Sequence, residues 1–247
     1  MTKSGSDPDF LLVEDRGAVR LLTMNRPEKR NALNTALTRE LLEGLRAADA
    51  AGTVSAVILT GAGQGFCAGA DLSEFKDLTP EFQHRVEERA ELTMQLHLVF
   101  SKMAKPVVTA INGAAMGGGA GLAIAGDLAV MAQGASIGYP ETRHGIVAAI
   151  VMANLVRQVG RKQAFELVAL GEPLTSGQAL ALGMVNRVVP GEDLLTETLK
   201  LAEKLSKVKP EALRATKQLF HEVADLPLEE ALKRGRDTNQ RMRAFKK

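Results

Sequence analysis

NGAAMGGGAGLAIAG, residues 112–126, places glycine at 113, 117, 118, 119, 121 and 126. It follows Pro106 to Ile111 (PVVTAI), an apolar run between turn signals that reads as a buried strand. Behind the glycines, Leu122 to Ala125 are small and apolar enough to pack as a helix. A strand that reaches a helix start through glycine leaves main-chain N–H groups without helical partners, and with no Cβ in the way a ligand can come close to them. Such a turn is suited to an anion or an oxyanion.

The common phosphate motifs do not fit this turn. G-x-G-x-x-G requires glycine at Leu122 counted from Gly117, or at Ile124 counted from Gly119, and a P-loop requires a lysine where there is none between Lys105 and Lys162. Glycines that merely let a helix pack close to a strand remain the competing explanation for the run taken alone.

Upstream, Phe10 to Glu14 and Ala18 to Met24 read as strands joined at Asp15-Arg16-Gly17, a hairpin. Asn25 to Asn34 (NRPEKRNALN) is a polar loop, and Asn34 or Thr35 can cap a helix whose apolar positions Leu37, Leu41, Leu42 and Leu45 repeat at helical spacing until near Gly52. Ala56 to Thr60 is the next strand. Strand, helix, strand in this order predicts a parallel sheet with right-handed crossovers. A second glycine-rich loop, Gly61 to Leu72, then precedes a long charged helix over Pro80 to Met103.

Downstream, Asp127 to Ala132 and Ala135 to Gly138 read as short strands, followed by Tyr139-Pro140-Glu141. Helices are expected over Ile146 to Val159, Arg161 to Leu170 and Thr175 to Leu182, with a strand at Val185 to Val189. Three amphipathic segments follow, the last two at Pro210 to Val223 and Pro227 to Phe245, both opening on a proline suited to a first helical turn. The organisation expected is a tail over 1–9, a core over 10–190 and a helical region over 191–247 that cannot bury both its faces alone and so serves oligomer contacts.

A chain of 247 residues, 45% hydrophobic and 24% charged, has ordinary globular composition. A net charge of +2 with dispersed basic residues gives no reason to expect a nucleic-acid partner, and aromatic residues at 4% argue against base stacking or sugar platforms. The single cysteine, Cys67, cannot form an internal disulfide, which fits a reducing compartment. The opening MTKSGSDPDF has no apolar run and no stretch is long enough to span a membrane, so a cytoplasmic protein without a membrane partner is expected.

Two glycine-rich loops after neighbouring parallel strands can direct N–H groups at one ligand oxygen. NRPEKRNALN, FCAGADL, INGAAMGGGAGLAIAGDLAV, YPETRHGI and ALGMVNRVV, in this order, resemble the crotonase superfamily, the enoyl-CoA hydratase/isomerase family, over roughly residues 10–245. The resemblance implies an α/β fold, a spiral of ββα units with a C-terminal helical trimerisation region, assembled as a homotrimer or hexamer. It implies an acyl-CoA substrate whose enolate oxygen is held by two main-chain N–H groups, carried over here to Ala70 and Gly118, with coenzyme A arriving as part of the substrate, no further cofactor and no metal. Substrate contacts are implied at Lys29, Arg30 and Ala32, at Ala68, Asp71 and Leu72, and at Met116, Gly117 and Gly121. Lys217 and Phe220 resemble residues through which a neighbouring subunit grips CoA in some relatives, although ordinary helix faces explain them almost as well.

Hydratases of the family typically carry one glutamate two residues after the glycine triplet and another after a proline in the next loop. Here the first position is Gly121 and the second is Glu141. Adding water across a double bond calls on two acid–base groups, whereas moving a double bond needs one base that takes a proton from one carbon and returns it to another. Glu141 alone therefore favours isomerisation; hydratase activity and a catalytically silent acyl-CoA-binding member are the alternatives. Cys67 lacks a histidine nearby in sequence to activate it, and His144 reads as a structural histidine. Gly134-Ala135-Ser136-Ile137-Gly138 matches G-x-S-x-G, but Tyr139-Pro140 interrupts the strand-to-helix turn that a serine nucleophile requires.

Overall fold

The computed structural model describes residues 9–77 and 80–244. Strands β1 (Leu11–Arg16) and β2 (Val19–Met24) form the expected antiparallel hairpin, turning at Gly17 with φ of +61°. Helix α1 (Thr35–Ala50) opens on the Asn34 side chain, which accepts the Leu37 N–H, and buries Leu37, Leu41, Leu42 and Leu45. It returns the chain to β3 (Ala56–Gly61), parallel to β2. Helix α2 (Gln83–Lys102) precedes β4 (Val107–Ile111), parallel to β3 and buried throughout, as suits a strand whose one polar side chain, Thr109, donates to the Ala123 carbonyl at 2.7 Å.

Beyond β4 come β5 (Ala115–Met116), α3 (Gly118–Ala125), β6 (Leu128–Ala132), β7 (Ser136–Gly138), α4 (Ala149–Gln158), α5 (Arg161–Leu170), β8 (Leu174–Thr175), α6 (Ser176–Ala181) and β9 (Arg187–Val189). The main sheet has the order β1-β2-β3-β4-β6-β9 and is parallel from β2 onward; β5, β7 and β8 form a separate small sheet. Helix α3 begins at Gly118, inside the glycines rather than after them. Each helical glycine costs about 1 kcal/mol relative to alanine, but the packing leaves no choice, because a Cβ at Gly119 would lie 2.2 Å from the Cys67 carbonyl oxygen. Helix α4 starts at Ala149 rather than Ile146, since a short 3-10 turn over Pro140–His144 and Gly145, at φ +71°, intervene.

Helix α7 (Leu194–Ser206) falls in the segment expected to serve oligomer contacts, yet it packs on the main sheet and buries Leu194, Leu201 and Ala202. Helices α8 (Pro210–Val223) and α9 (Leu228–Ala244) pack mainly on each other. A buried ion pair ties α8 down. Lys217 Nζ lies 2.7 Å from Asp127 Oδ2 and donates at 2.9 Å to the Lys105 carbonyl, while the same carboxylate oxygen accepts the Val107 N–H at 2.7 Å. Lys217 thus faces inward and is not available to grip a ligand of a neighbouring subunit; Phe220, one helical turn on, is exposed.

Burial alone would raise the pKa of Asp127, but the His221 contact, the Lys217 ammonium and the Val107 N–H outweigh it and hold the carboxyl below its ordinary value. Its contribution to stability is therefore complete above the unfolded value and is lost as pH falls through the lower folded one. Lys217→Met is expected to destabilise the protein by about 3–5 kcal/mol by leaving Asp127 buried without its cation. Urea unfolding measures this; a loss below about 1 kcal/mol would mean that the pair is of no consequence.

Candidate active site

The first loop leaves β3 at Gly61, where a Cβ would stand 2.4 Å from the Phe66 carbonyl oxygen and 2.6 Å from Asn31 Nδ2. Asn31 is fully buried with φ of +56°. Its side-chain amide donates to the carbonyls of Ala62, Gly65 and Phe66 at 2.9, 2.9 and 3.2 Å, and its oxygen accepts the Arg26 N–H. One asparagine therefore binds the polar loop to the first glycine loop. Sequence reading missed it; the clue was an Asn able to adopt left-handed backbone within a charged loop.

The two glycine loops are joined by main-chain bonds. Phe66 and Cys67 both donate to the Ala114 carbonyl at 3.1 Å, and Met116 donates to the Cys67 carbonyl at 2.9 Å. At Gly69, with φ of +91°, a Cβ would lie 2.7 Å from the Met116 carbonyl oxygen and 3.4 Å from the Gly118 nitrogen. A Cβ on Gly118 would lie 3.9 Å from the Ala70 nitrogen. The amides of Ala70 and Gly118 thus border one small space. Ala70 sits between the bonds Leu33 N–H to Gly69 and Asp71 N–H to Leu33, and among the described residues neither the Ala70 nor the Gly118 N–H donates to another group. Gly118 opens α3, so the positive end of that helix adds to the field there.

Glu141 reaches the same place from the far side. It lies in the 3-10 turn after Tyr139, and its Oε1 stands 2.8 Å from where a Cβ of Gly117 would be, next to Gly118. Its Oε2 is buried and has no partner, and burial raises its pKa above the ordinary carboxylate value of 4.5. Tyr139 is fully buried with an unpartnered hydroxyl, its pKa raised by burial and then by the charge of Glu141. Asp71, also beside the amides, is already engaged: it pairs with Arg26 at 2.9 Å and accepts from the Ser73 hydroxyl at 2.7 Å. That leaves its backbone as the part of Asp71 able to shape the site.

Gly121 is closed to any side chain. A Cβ there would lie 2.6 Å from His97 Cε1 and 2.6 Å from Val151 Cγ1. Met116 and Gly117 line the turn itself, and the Gly117 N–H donates to the Gly138 carbonyl at 2.8 Å. Ala68 is exposed, and its N–H donates to the Arg30 carbonyl, which brings Lys29, Arg30 and Ala32 to the rim of the first loop. Lys29, Arg30 and Leu72 are exposed there, and His144 is exposed rather than built into the structure. Cys67 is buried, its thiol pushed up to about 12 by burial, so it packs and does not react. Ser136 is in β7, paired with β5 and β8, and the chain continues into Tyr139 and the 3-10 turn rather than an α-helix. No nucleophile elbow forms.

A family model described as Enoyl-CoA hydratase/isomerase matches residues 14–246. A protein of Thermus thermophilus named putative enoyl-CoA hydratase is 40% identical over 89% of this chain and 87% of its own length. The 2,3-dehydroadipyl-CoA hydratase of Escherichia coli is 37% identical over 90% of this chain and 86% of its own. In three dimensions the chain is similar to the enoyl-CoA hydratase of Mycobacterium smegmatis, with a TM-score of 0.89 and 30% identity, covering 94% of this chain and 90% of that one. The parallel sheet and C-terminal helices are those of the crotonase fold.

Proposed function

The chain belongs to the enoyl-CoA hydratase/isomerase family, and from that premise we propose that it shifts the double bond of an enoyl-CoA by 1,3-proton transfer through one base, Glu141. The observation that carries this reading is the closed position at Gly121. His97 and Val151 fill the space that a second carboxylate would need, and Asp71 is held by Arg26, so Glu141 is the free carboxylate beside the amides.

In this reading the thioester carbonyl of a 3-enoyl-CoA accepts from the N–H groups of Ala70 and Gly118. The Glu141 carboxylate takes a proton from C2, and the electrons of that C–H bond form a C1–C2 double bond and push the carbonyl pair onto its oxygen. The two amides stabilise the resulting dienolate, which is conjugated with the C3–C4 double bond. The same carboxyl then returns its proton to C4, giving 2-enoyl-CoA with the base regenerated. Two preorganised donors matter most in this step, because the charge that they meet develops only during reaction. Burial makes Glu141 a stronger base than a solvated carboxylate, which suits removal of a weakly acidic proton. CoA enters with the substrate, and a proton moved from carbon to carbon calls for no further cofactor.

Hydratase activity is the second reading, favoured by the names of the Thermus and Escherichia relatives. Absorbance of the conjugated thioester separates the two. Its appearance from 3-enoyl-CoA supports isomerisation; its loss from 2-enoyl-CoA in water supports hydration, and neither change supports a silent binding protein. For the isomerase, kcat/KM is expected to fall on the acid side with an apparent pKa above 4.5, since protonating Glu141 removes the base. A rate that stays level down to pH 4.5 would exclude it. Exposed Phe165, Phe220, Leu228 and Leu232 support assembly into a homotrimer or hexamer, and the bacterial relatives support a cytoplasmic setting.

A further inference from the structure

We propose that Arg26 and Arg89 are positioning residues for the reaction, which between them hold the Ala70 N–H where it can meet the thioester oxygen. The inference rests on the acyl-CoA reading above and deepens it, by naming what keeps one of the two amides in place. Ala70 and Leu33 form an isolated parallel bridge, in which the Leu33 N–H donates to the Gly69 carbonyl at 2.7 Å and the Asp71 N–H donates to the Leu33 carbonyl at 3.1 Å. In a parallel pairing the residue between two such bonds turns its own N–H to the opposite side. The bonds to Leu33 therefore direct the Ala70 N–H into the space that Gly118 borders. A ladder of two hydrogen bonds is too short to hold its angle unaided.

Each arginine braces that ladder from a different element. Arg26, just after β2, ties its two sides together: Nη1 donates to the Ala32 carbonyl and stands 2.9 Å from Asp71 Oδ2. Arg89, on α2, donates from Nη2 to the Leu33 carbonyl at 2.8 Å, the same oxygen that accepts from Asp71. Arg89 is itself held, by the Thr93 hydroxyl one turn along α2 and by Glu74, whose carboxylate accepts the Thr35 N–H at 2.9 and 3.0 Å. The side chains of Arg26 and Asp71 are each 10% exposed and that of Arg89 is 13% exposed. Buried ion pairs seldom exceed apolar residues of similar volume in stability, and Arg26 Nε is buried without a hydrogen bond among the described residues. What the arginines supply beyond packing is direction, since a guanidinium bonds in a fixed fork. Arg26 also cancels a charge. Asp71 adjoins Ala70, and an unpaired carboxylate there would oppose the negative charge that develops on the thioester oxygen.

The test reads the thioester carbonyl itself. Infrared difference spectra of butanoyl-CoA, isotope-labelled at that carbonyl, report how strongly the amides polarise a bound ligand that cannot isomerise. In the wild type the band should move to lower frequency on binding. In Arg26→Met and in Arg89→Gln it should lie closer to the free ligand, with kcat for 3-enoyl-CoA down about tenfold or more and KM within about threefold. Arg26→Lys should keep part of the shift. The double variant Arg26→Met/Asp71→Asn removes the unpaired carboxylate, so it should regain stability without regaining the shift. Gly134→Ala, strained at φ +83° in the turn between β6 and β7, should melt lower and keep the full shift. A full shift in Arg89→Gln or in the double variant overturns the assignment of that arginine, even if Arg26→Met does not fold. Loss of the shift in Gly134→Ala would tie the band to stability and overturn both assignments. A shift that follows the arginines in a protein that leaves 3-enoyl-CoA unchanged supports the clamp and sinks the isomerase reading; isomerase activity with a shift indifferent to the arginines does the reverse. A wild-type band that does not move overturns the clamp and the thioester reading together.

Discussion

Glu141→Gln is expected to lower kcat for 3-enoyl-CoA isomerisation by about 10²- to 10⁴-fold, the range over which a positioned general base acts, while acyl-CoA affinity stays close to wild type. Glutamine keeps the shape of the side chain and its contact with Gly117, so the amides of Ala70 and Gly118 remain in place. What disappears is the ability to hold a proton between C2 and C4. A loss in kcat and kcat/KM together, with binding unchanged, is the pattern of a group that acts only in the transition state.

Stability gives an independent control. Because burial raises the folded pKa of Glu141, the folded protein binds a proton more tightly than the unfolded chain does. Stability therefore falls as pH rises through the window between 4.5 and the raised value, and above it the ionised carboxylate is a liability. Glutamine removes that liability, so near neutral pH the variant should melt no lower than wild type. Activity within about tenfold of wild type would remove Glu141 from the mechanism.

The paired glycine loops were legible in the sequence because their signals are local, whereas Glu141 was singled out by the family resemblance and without it reads as an ordinary carboxylate after a turn proline. A largely apolar strand enters glycine, and a second glycine loop follows the neighbouring strand. The closing of position 121 was not legible, since it depends on His97, which lies in α2 and meets Gly121 only when α2 packs over α3. Asn31 was hidden for the same reason: its acceptors at Ala62, Gly65 and Phe66 lie more than 30 positions away. The resemblance offered Lys217 as a contact to CoA of a neighbouring subunit, with an ordinary helix face as the alternative, and only the fold shows that Asp127 draws it inward. Strands β5 and β8 have two residues each, too few for any period to show.

Gly69→Ala tests the amide pair, which cannot be removed by trimming a side chain. The residue has φ of +91°, and its new methyl group would lie 2.7 Å from the Met116 carbonyl oxygen, main chain that cannot turn aside as a flexible side chain could. The two loops must separate, and with them the amides of Ala70 and Gly118. Loss of one oxyanion donor lowers kcat by about 10²- to 10³-fold, and that fall is expected here, together with a stability loss of about 1–3 kcal/mol from backbone strain. Gly134→Ala separates the two effects. It imposes a similar strain, at φ +83°, but its Cβ meets nothing within 4 Å and it lies in the turn between β6 and β7, away from the amides. It should therefore lose stability and keep kcat. If both variants, assayed well below their melting temperatures, turned over 3-enoyl-CoA within tenfold of wild type, the thioester oxygen would have to be held elsewhere, because no rearrangement that admits a methyl group at Gly69 leaves both N–H groups bordering the same space.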